Sequence, residues 1–236
     1  MRTVLSALAL VAVGATAAAQ TPDPYPLGAS VPAPFANDSG QVVEFQPCTP
    51  FVTDAQGGLV YLPLCLQVLI LMGDGDVYTM WWGQQDDTGQ QVAPGVYTVN
   101  GVQYDLGADD AAVVPLGPPR LGFARSLYLA APSQPGAVYL AAASLSSAFG
   151  IPLGCGQSFP LDFDAVALAS LTMPSVFQSY VGVLDALGTS QDPTLVLPNN
   201  PNLAGLTLDF AFLTADPSAP CGIGAVSAAR SATILP

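Results

Sequence analysis

Beyond its first twenty residues, the chain cuts its apolar runs at strand length with a proline, a glycine or a polar pair. Proline carries no backbone donor and glycine loses the most freedom on ordering, so this punctuation works against long helices and favours short strands joined by turns. Runs at 41–46, 59–62, 66–72, 77–82, 96–99, 102–106, 123–130 and 138–145 read as strands. Asn100-Gly101 tolerates the positive φ of a two-residue turn, so 96–106 is predicted as a hairpin. At 206–212, Leu206, Leu208, Phe210 and Phe212 alternate with Thr207, Asp209 and Ala211, the period of a strand with one buried face, and 176–185 reads similarly. Residues 164–171 suit a turn or two of helix. The stretch 59–72 is apolar enough to raise a membrane span, but Pro63 interrupts it and Gln67 sits within it, so a buried strand pair is expected. The fold class is all-β, two immunoglobulin-like β-sandwiches in tandem.

Residues 1–19 have the layout of a cleavable secretory leader: Arg2, an apolar run from Val4 to Val13, then small residues through Ala19. Cleavage near Ala19 sends the mature chain to the periplasm or cell exterior. Residues 20–40 carry five prolines in TPDPYPLGASVPAPF and read as an extended entry segment. Residues 41–115 form a first sandwich and 116–236 a second, divided at Pro115-Leu116-Gly117-Pro118-Pro119. The formal charge is −13, with Arg2, Arg120, Arg125 and Arg230 the only basic side chains and no histidine. Such a chain cannot neutralise a run of phosphates, which excludes nucleic acid and argues against anionic membranes. Cationic surfaces, neutral polymers and other envelope or extracellular proteins fit better.

Cys48, Cys65, Cys155 and Cys221 form an even set in an exported chain, which favours two disulfides. Three pairings are open. Keeping each bridge inside one segment favours Cys48 with Cys65 and Cys155 with Cys221. No pair has close metal-site spacing.

The segment WGQQDDTGQQVAPGVY, from Trp82 to Tyr97, resembles the closing motif W-D-x-x-D-D-x-G-x-x-V-P-x-G-x-Y of the FlgD-like immunoglobulin-type modules of exported bacterial proteins. Trp82, Asp86, Asp87, Gly89, Val92, Pro94, Gly95 and Tyr97 match. Gly83 stands where the family has Asp, and Ala93 displaces the proline by one position. The resemblance covers about 41–106 and implies a scaffold, not a reaction. LGCGQ around Cys155, NNPNLAGLTLDFAF from Asn199 and DPSAPCG ending at Gly222 resemble a C-terminal β module of secreted bacterial proteins, which implies export and a second sandwich.

Four chemistries can be set against the residues. Asp38-Ser39-Gly40 and Asp87-Thr88-Gly89 invite an aspartic-protease reading, but Gln84-Gln85-Asp86 before Asp87 is no buried apolar strand, and Asx turns explain both triplets. Asp162 and Asp164 are the candidate glycosidase pair, with no cluster of sugar-stacking aromatics in their region. Asp74, Asp76, Asp86 and Asp87 are candidate calcium ligands by residue type and loop context, although no loop has the full D-x-D-x-D-G pattern. Trp81 and Trp82 point to opposite faces of one strand, so one is core and the other could form a ligand platform. With no histidine or lysine to serve as base, a nucleophilic triad in its usual form is excluded. The expectation is a secreted, non-catalytic structural or adhesive protein without an obligatory cofactor. The alternatives are a carbohydrate-binding module and, behind it, a carboxylate hydrolase.

Overall fold

A computed structural model describes residues 22–48, 50–62 and 68–236. The first half contains β1 (Asp23–Tyr25), β2 (Val31–Ala36), β3 (Val43–Phe45), β4 (Val52–Asp54), β5 (Leu59–Tyr61), β6 (Ile70–Met72), β7 (Val77–Trp82), β8 (Gly95–Val99) and β9 (Val102–Leu106). There follow β10 (Ala112–Pro115), β11 (Ala124–Ala130), β12 (Val138–Ser144), β13 (Ile151–Gly154), β14 (Gln157–Phe159) and α1 (Ala165–Thr172). The chain closes with β15 (Phe177–Gln178), β16 (Val181–Val183), β17 (Thr189–Ser190), β18 (Thr194–Val196), β19 (Thr207–Ala215), β20 (Ile223–Val226) and β21 (Arg230–Thr233). The fold is all-β, with one short α-helix among the described residues.

Three sheets stack. The first runs β1-β9-β8-β4-β5, the second β10-β11-β18-β15 with β17 beside β11, and the third β16-β12-β19-β20 with β21 beside β19. The β8–β9 hairpin turns at Asn100 (φ 48°) and Gly101 (φ 86°), with Val99 opposite Val102, as the Asn-Gly pair predicts. The middle sheet is buried on both sides. Val113, Leu127 and Leu129 enter one core, with Tyr139, Phe210 and Phe212 of the third sheet. Val114, Leu116, Tyr128 and Ala130 enter the other, with Tyr25, Trp82 and Tyr104. Period-two alternation sends neighbouring residues to opposite faces, so apolar residues at both parities let one pair of strands serve two cores.

The proline-rich segment 115–119 links β10 to β11 within this one sheet, and the end of the chain holds it. The amide of Leu121 donates to the carbonyl of Leu235 (3.1 Å), and that of Leu235 to Pro119 (2.8 Å). The entry segment carries β1 and β2. β1 pairs parallel with β9, and Tyr25 and Val31 are fully buried. Pro32 and Pro34 share one parity of β2, and the Tyr104 hydroxyl donates to the Pro32 carbonyl (3.3 Å), so proline lies on the side of β2 away from β7 and blunts that edge.

Three local expectations change. Residues 59–62 and 68–72 do not pair with each other, while 63–67 lie outside the described residues: β5 joins β4 and β6 joins β3, and Leu59, Leu62, Leu69 and Leu71 are exposed. Alternation at 206–212 is covered on both faces, because the β13–β14 hairpin lays Phe159, with Leu161 just beyond it, over Ala142 and Ala211. The stretch 176–185 breaks at Ser179 (φ 54°) into β15 and β16, which belong to different sheets.

Candidate functional site

The WGQQDDTGQQVAPGVY segment builds a turn. Trp82 ends β7 inside the core, its Nε1 donating to the Gln85 carbonyl (2.8 Å) and its ring 5.5 Å from that of Tyr97. One Asp86 oxygen accepts from the Thr88 amide (2.8 Å), the Thr88 hydroxyl (2.7 Å) and the Gln90 amide (3.0 Å). The Thr88 hydroxyl first, then the Gln90 amide, hold this carboxyl below the usual carboxylate range. Asp87 accepts from the Leu62 amide (2.9 Å), tying the turn to the strand beside it.

Sequence reading passed over Gln84, the residue that anchors the motif. Fully buried at φ 56°, it donates from Nε2 to Pro26 (2.9 Å) and Ala29 (2.7 Å) and accepts at Oε1 from Gly28 (2.8 Å) and Gln91 (3.2 Å). A buried amide with its donors and acceptor satisfied specifies one geometry. A glutamine flanked by polar residues gives no pattern that would mark it as core.

Asp74 and Asp76 lie at the bend where the β2–β7 ribbon continues as β3–β6. Asp74 accepts from Arg120 Nη1 (2.8 Å) and the Gly40 amide (2.9 Å), and Asp38 approaches the same guanidinium at 3.5 Å. Arg120, then the Gly40 amide, lowers the Asp74 pKa. Asp76 accepts from the Gly73 amide (2.6 Å). Phe123 lies between Arg120 and Arg125, 5.1 and 5.5 Å from their guanidinium carbons. Buried Arg125 donates to Pro118 (3.0 Å) and Ala124 (3.2 Å), while its Nη2 meets no acceptor among the described residues. A cleft of about 380 Å³ runs beside it, lined by Asp76, Thr79, Phe123, Arg125 and Ser126 among others. No group of three His, Cys, Asp or Glu side chains among the described residues is placed to hold a metal ion.

Asp162 and Asp164 sit together, but their surroundings do not make an acid and base pair. Asp162 accepts from the Ser146 hydroxyl (2.6 Å) and the amides of Phe149 (2.8 Å) and Gly150 (3.0 Å). Asp164 caps α1 through the Ala167 amide (2.7 Å) and takes the Leu145 amide (2.7 Å) and the Ser144 hydroxyl (3.0 Å). The Ser146 hydroxyl, then the Phe149 amide, lowers Asp162; at Asp164 burial pulls upward but is outweighed by the Ala167 and Leu145 amides. A glycosidase general acid needs its pKa raised, and here both are lowered. Cys155 and Cys221 form the expected disulfide, Cα atoms 6.2 Å apart, pinning the β13–β14 turn to the loop before β20. Cys48 is also disulfide-bonded, and its expected partner Cys65 lies outside the described residues.

Open aromatic surface lies away from the tryptophans. Trp81 is half-buried, edge-on to Tyr128 at 4.9 Å. On the ribbon, Phe35 stacks on Phe45 at 4.3 Å and 12°, and Tyr78, across from Phe35 in register, lies 5.7 Å from Phe45. Phe35 and Tyr78 are 38% and 36% exposed. On and next to β3 and β6, Val42, Leu69 and Leu71 also face solvent, Leu71 opposite Glu44 and so on the face away from Phe45. Comparison with models of known protein families finds no match, and comparison with curated proteins finds none either.

Proposed function

We propose that this is an exported, non-catalytic structural or adhesive β-sandwich protein of the cell envelope or exterior, acting through exposed apolar faces on rigid ribbons. The observation that carries the reading is the Phe35–Phe45–Tyr78 stack, open on a two-stranded ribbon that the Asp74–Arg120 pair and Asn37 hold in place. Asn37 is buried at the bend, where its Nδ2 donates to the carbonyls of Gln41, Met72 and Gly73. Aromatic faces on a preformed scaffold bind at low entropic cost. The carboxylates with the richest hydrogen bonding are spent on turns and caps, which supports a scaffold in place of a reaction centre. The Cys155–Cys221 disulfide supports an oxidising compartment, and no helix among the described residues is long and apolar enough to cross a membrane. We read residues 41–106 as a FlgD-like module whose Trp82, Asp86 and Gly89 serve the turn.

Polysaccharide is the second reading, since sugar rings also stack on aromatic faces, and it moves the platform from Trp81 or Trp82 to Phe35 and Tyr78. Both readings are tested by adsorption of the mature protein to insoluble polysaccharides and to envelope fractions, with and without protease treatment. The F35S/Y78S variant is expected to lose at least about tenfold in binding. Loss confined to protease-sensitive envelope assigns a protein partner, and loss on purified polysaccharide assigns the sugar. Unchanged binding by the variant removes the ribbon as the adhesive face.

A further inference from the structure

Three arginines lie among the described residues, and one is placed unlike the others. Arg120 pairs with Asp74 and Asp38, and Arg230 with Asp23. Arg125 is only 6% exposed, yet no carboxylate among the described residues pairs with it. The Pro118 and Ala124 carbonyls take its Nε and Nη1, and its Nη2 meets no acceptor among the described residues. Burial holds its pKa below the usual value, and Asp38 and Asp76, too distant to pair, offset only part of that. A buried donor without an acceptor is costly, and one that is kept is explained by a partner from outside the chain.

Two strands frame the cleft that Arg125 lines. Thr79 and Trp81 share one face of β7, Ser126 and Tyr128 share one face of β11, and the Trp81 and Tyr128 rings meet at 4.9 Å. Beyond that contact lies a space of about 380 Å³, with Leu116 and Phe123 as apolar walls and Asp76, Thr79, Arg125 and Ser126 as polar lining. Sites for small molecules run from about 300 to 1,000 Å³. Asp76 takes the Gly73 amide on one oxygen (2.6 Å), which leaves the other for a donor.

We propose that this cleft binds a neutral sugar ring. Charge and donor count select the ligand. A phosphate or carboxylate would gain a single free nitrogen from Arg125 and meet the charges of Asp38 and Asp76. An ammonium would gain Asp76 and meet Arg125. Adjacent sugar hydroxyls satisfy both groups without net charge: one accepts from Nη2 while its neighbour donates to Asp76. Thr79 and Ser126 lie in the same lining for a further hydroxyl, and Leu116 and Phe123 face the ring's C–H groups. Thr79 points to the face of β7 opposite Tyr78, so the cleft is separate from the Phe35–Phe45–Tyr78 stack and does not rest on the adhesive reading.

The test is an NMR titration of the mature, oxidised protein with methyl glycosides of neutral hexoses and pentoses, beside glucuronate, inorganic phosphate and glycine as charged probes. Residues 20–236 hold only Arg120, Arg125 and Arg230, so the Arg125 Nε–H signal is easily isolated. At least one neutral glycoside is expected to shift that signal and the Thr79 and Ser126 amides saturably, with a dissociation constant of about 1 mM, and the charged probes to bind at least about tenfold more weakly. D76N and T79V leave the carbonyl partners of Arg125 in place and are each expected to weaken binding about tenfold or more, while F35S/Y78S binds as wild type does. Amide spectra unchanged away from the cleft would show that the variants are folded. No shift with any glycoside overturns the proposal. Tighter binding of a charged probe than of every neutral glycoside also overturns it, and gives the cleft to a charged ligand. Sugar binding that is indifferent to D76N and T79V, or lost in F35S/Y78S, overturns it by placing the sugar elsewhere.

Discussion

The stacked sheets and the β3–β6 ribbon use similar apolar residues to opposite ends. In β11, β12 and β19, small and large apolar residues alternate so that both faces are buried, Ala141, Ala143, Phe210 and Phe212 on one side of the third sheet and Ala142 and Ala211 on the other. In the ribbon, Val42, Leu69 and Leu71 have no opposing layer among the described residues and face solvent. Propensity makes strands in both places. What differs is whether a later segment returns to cover the face, as the β13–β14 hairpin does for Ala142 and Ala211. Burial here is a property of topology, and the apolar content of a strand does not report it.

The strongest way to break this comparison is to cut the same kind of side chain in both places. Phe210→Ala removes a ring packed in the core between the middle and third sheets and is expected to cost about 3–5 kcal/mol, read as a lower urea midpoint at unchanged slope. A loss under ~1 kcal/mol would mean that the sheets are not packed as tightly as their burial implies.

Much of this was legible beforehand, and the gaps have physical causes. The 77–82 and 102–106 strands, the Asn100-Gly101 hairpin, the helical turn near 164–171 and the Cys155–Cys221 pair all depend on nearby residues or on even cysteine counting. Residues 59–62 and 68–72 misled because an apolar run reads as buried unless the partner strand is known. The Phe35–Phe45–Tyr78 stack was hidden because Phe35 and Tyr78 meet only through the β2–β7 register, while adjacent Trp81 and Trp82 drew attention by being neighbours in sequence. Gln84 and Asn37 were missed for one reason: a buried amide satisfied by backbone carbonyls is indistinguishable in sequence from an exposed one.

A smaller effect separates the Asp162 and Asp164 clasp at the start of α1 from the sheets it rests on. Asp164→Ala removes the cap of α1 and the acceptor for Leu145 and Ser144, and a cap loss of about 1–2 kcal/mol is expected, with exchange of the Leu145 and Ala167 amides accelerated more than that of β19. The pH dependence follows with a definite sign. Asp162, Asp164, Asp185 and Asp216 have folded pKa values below their unfolded ones, so their stabilisation is complete above roughly pH 4 and is lost as pH falls through the folded values. Asp23 and Asp109 are raised, chiefly by burial, so they work in the opposite direction and offset part of that loss. Acid titration of wild type against D164A is therefore expected to converge at low pH, where Asp164 no longer acts as a carboxylate. Parallel curves would move the contribution of Asp164 from charge to packing.

The smallest effect is the most discriminating for the ribbon. Leu71, 69% exposed on β6, touches no opposing layer among the described residues, so Leu71→Thr is expected to change stability by no more than about 0.5 kcal/mol, in contrast with Phe210→Ala. Threonine is β-branched, which suits a strand, and the change removes only apolar surface from solvent. Adsorption should be unchanged by it, in contrast with F35S/Y78S, because the register sets Leu71 opposite Glu44, on the face of the ribbon away from Phe45 and Ile70. Were L71T to destabilise the protein by more than ~1 kcal/mol, Leu71 would have to be covered in solution. The ribbon would then belong with the stacked sheets, as a face that finds its missing layer in another molecule.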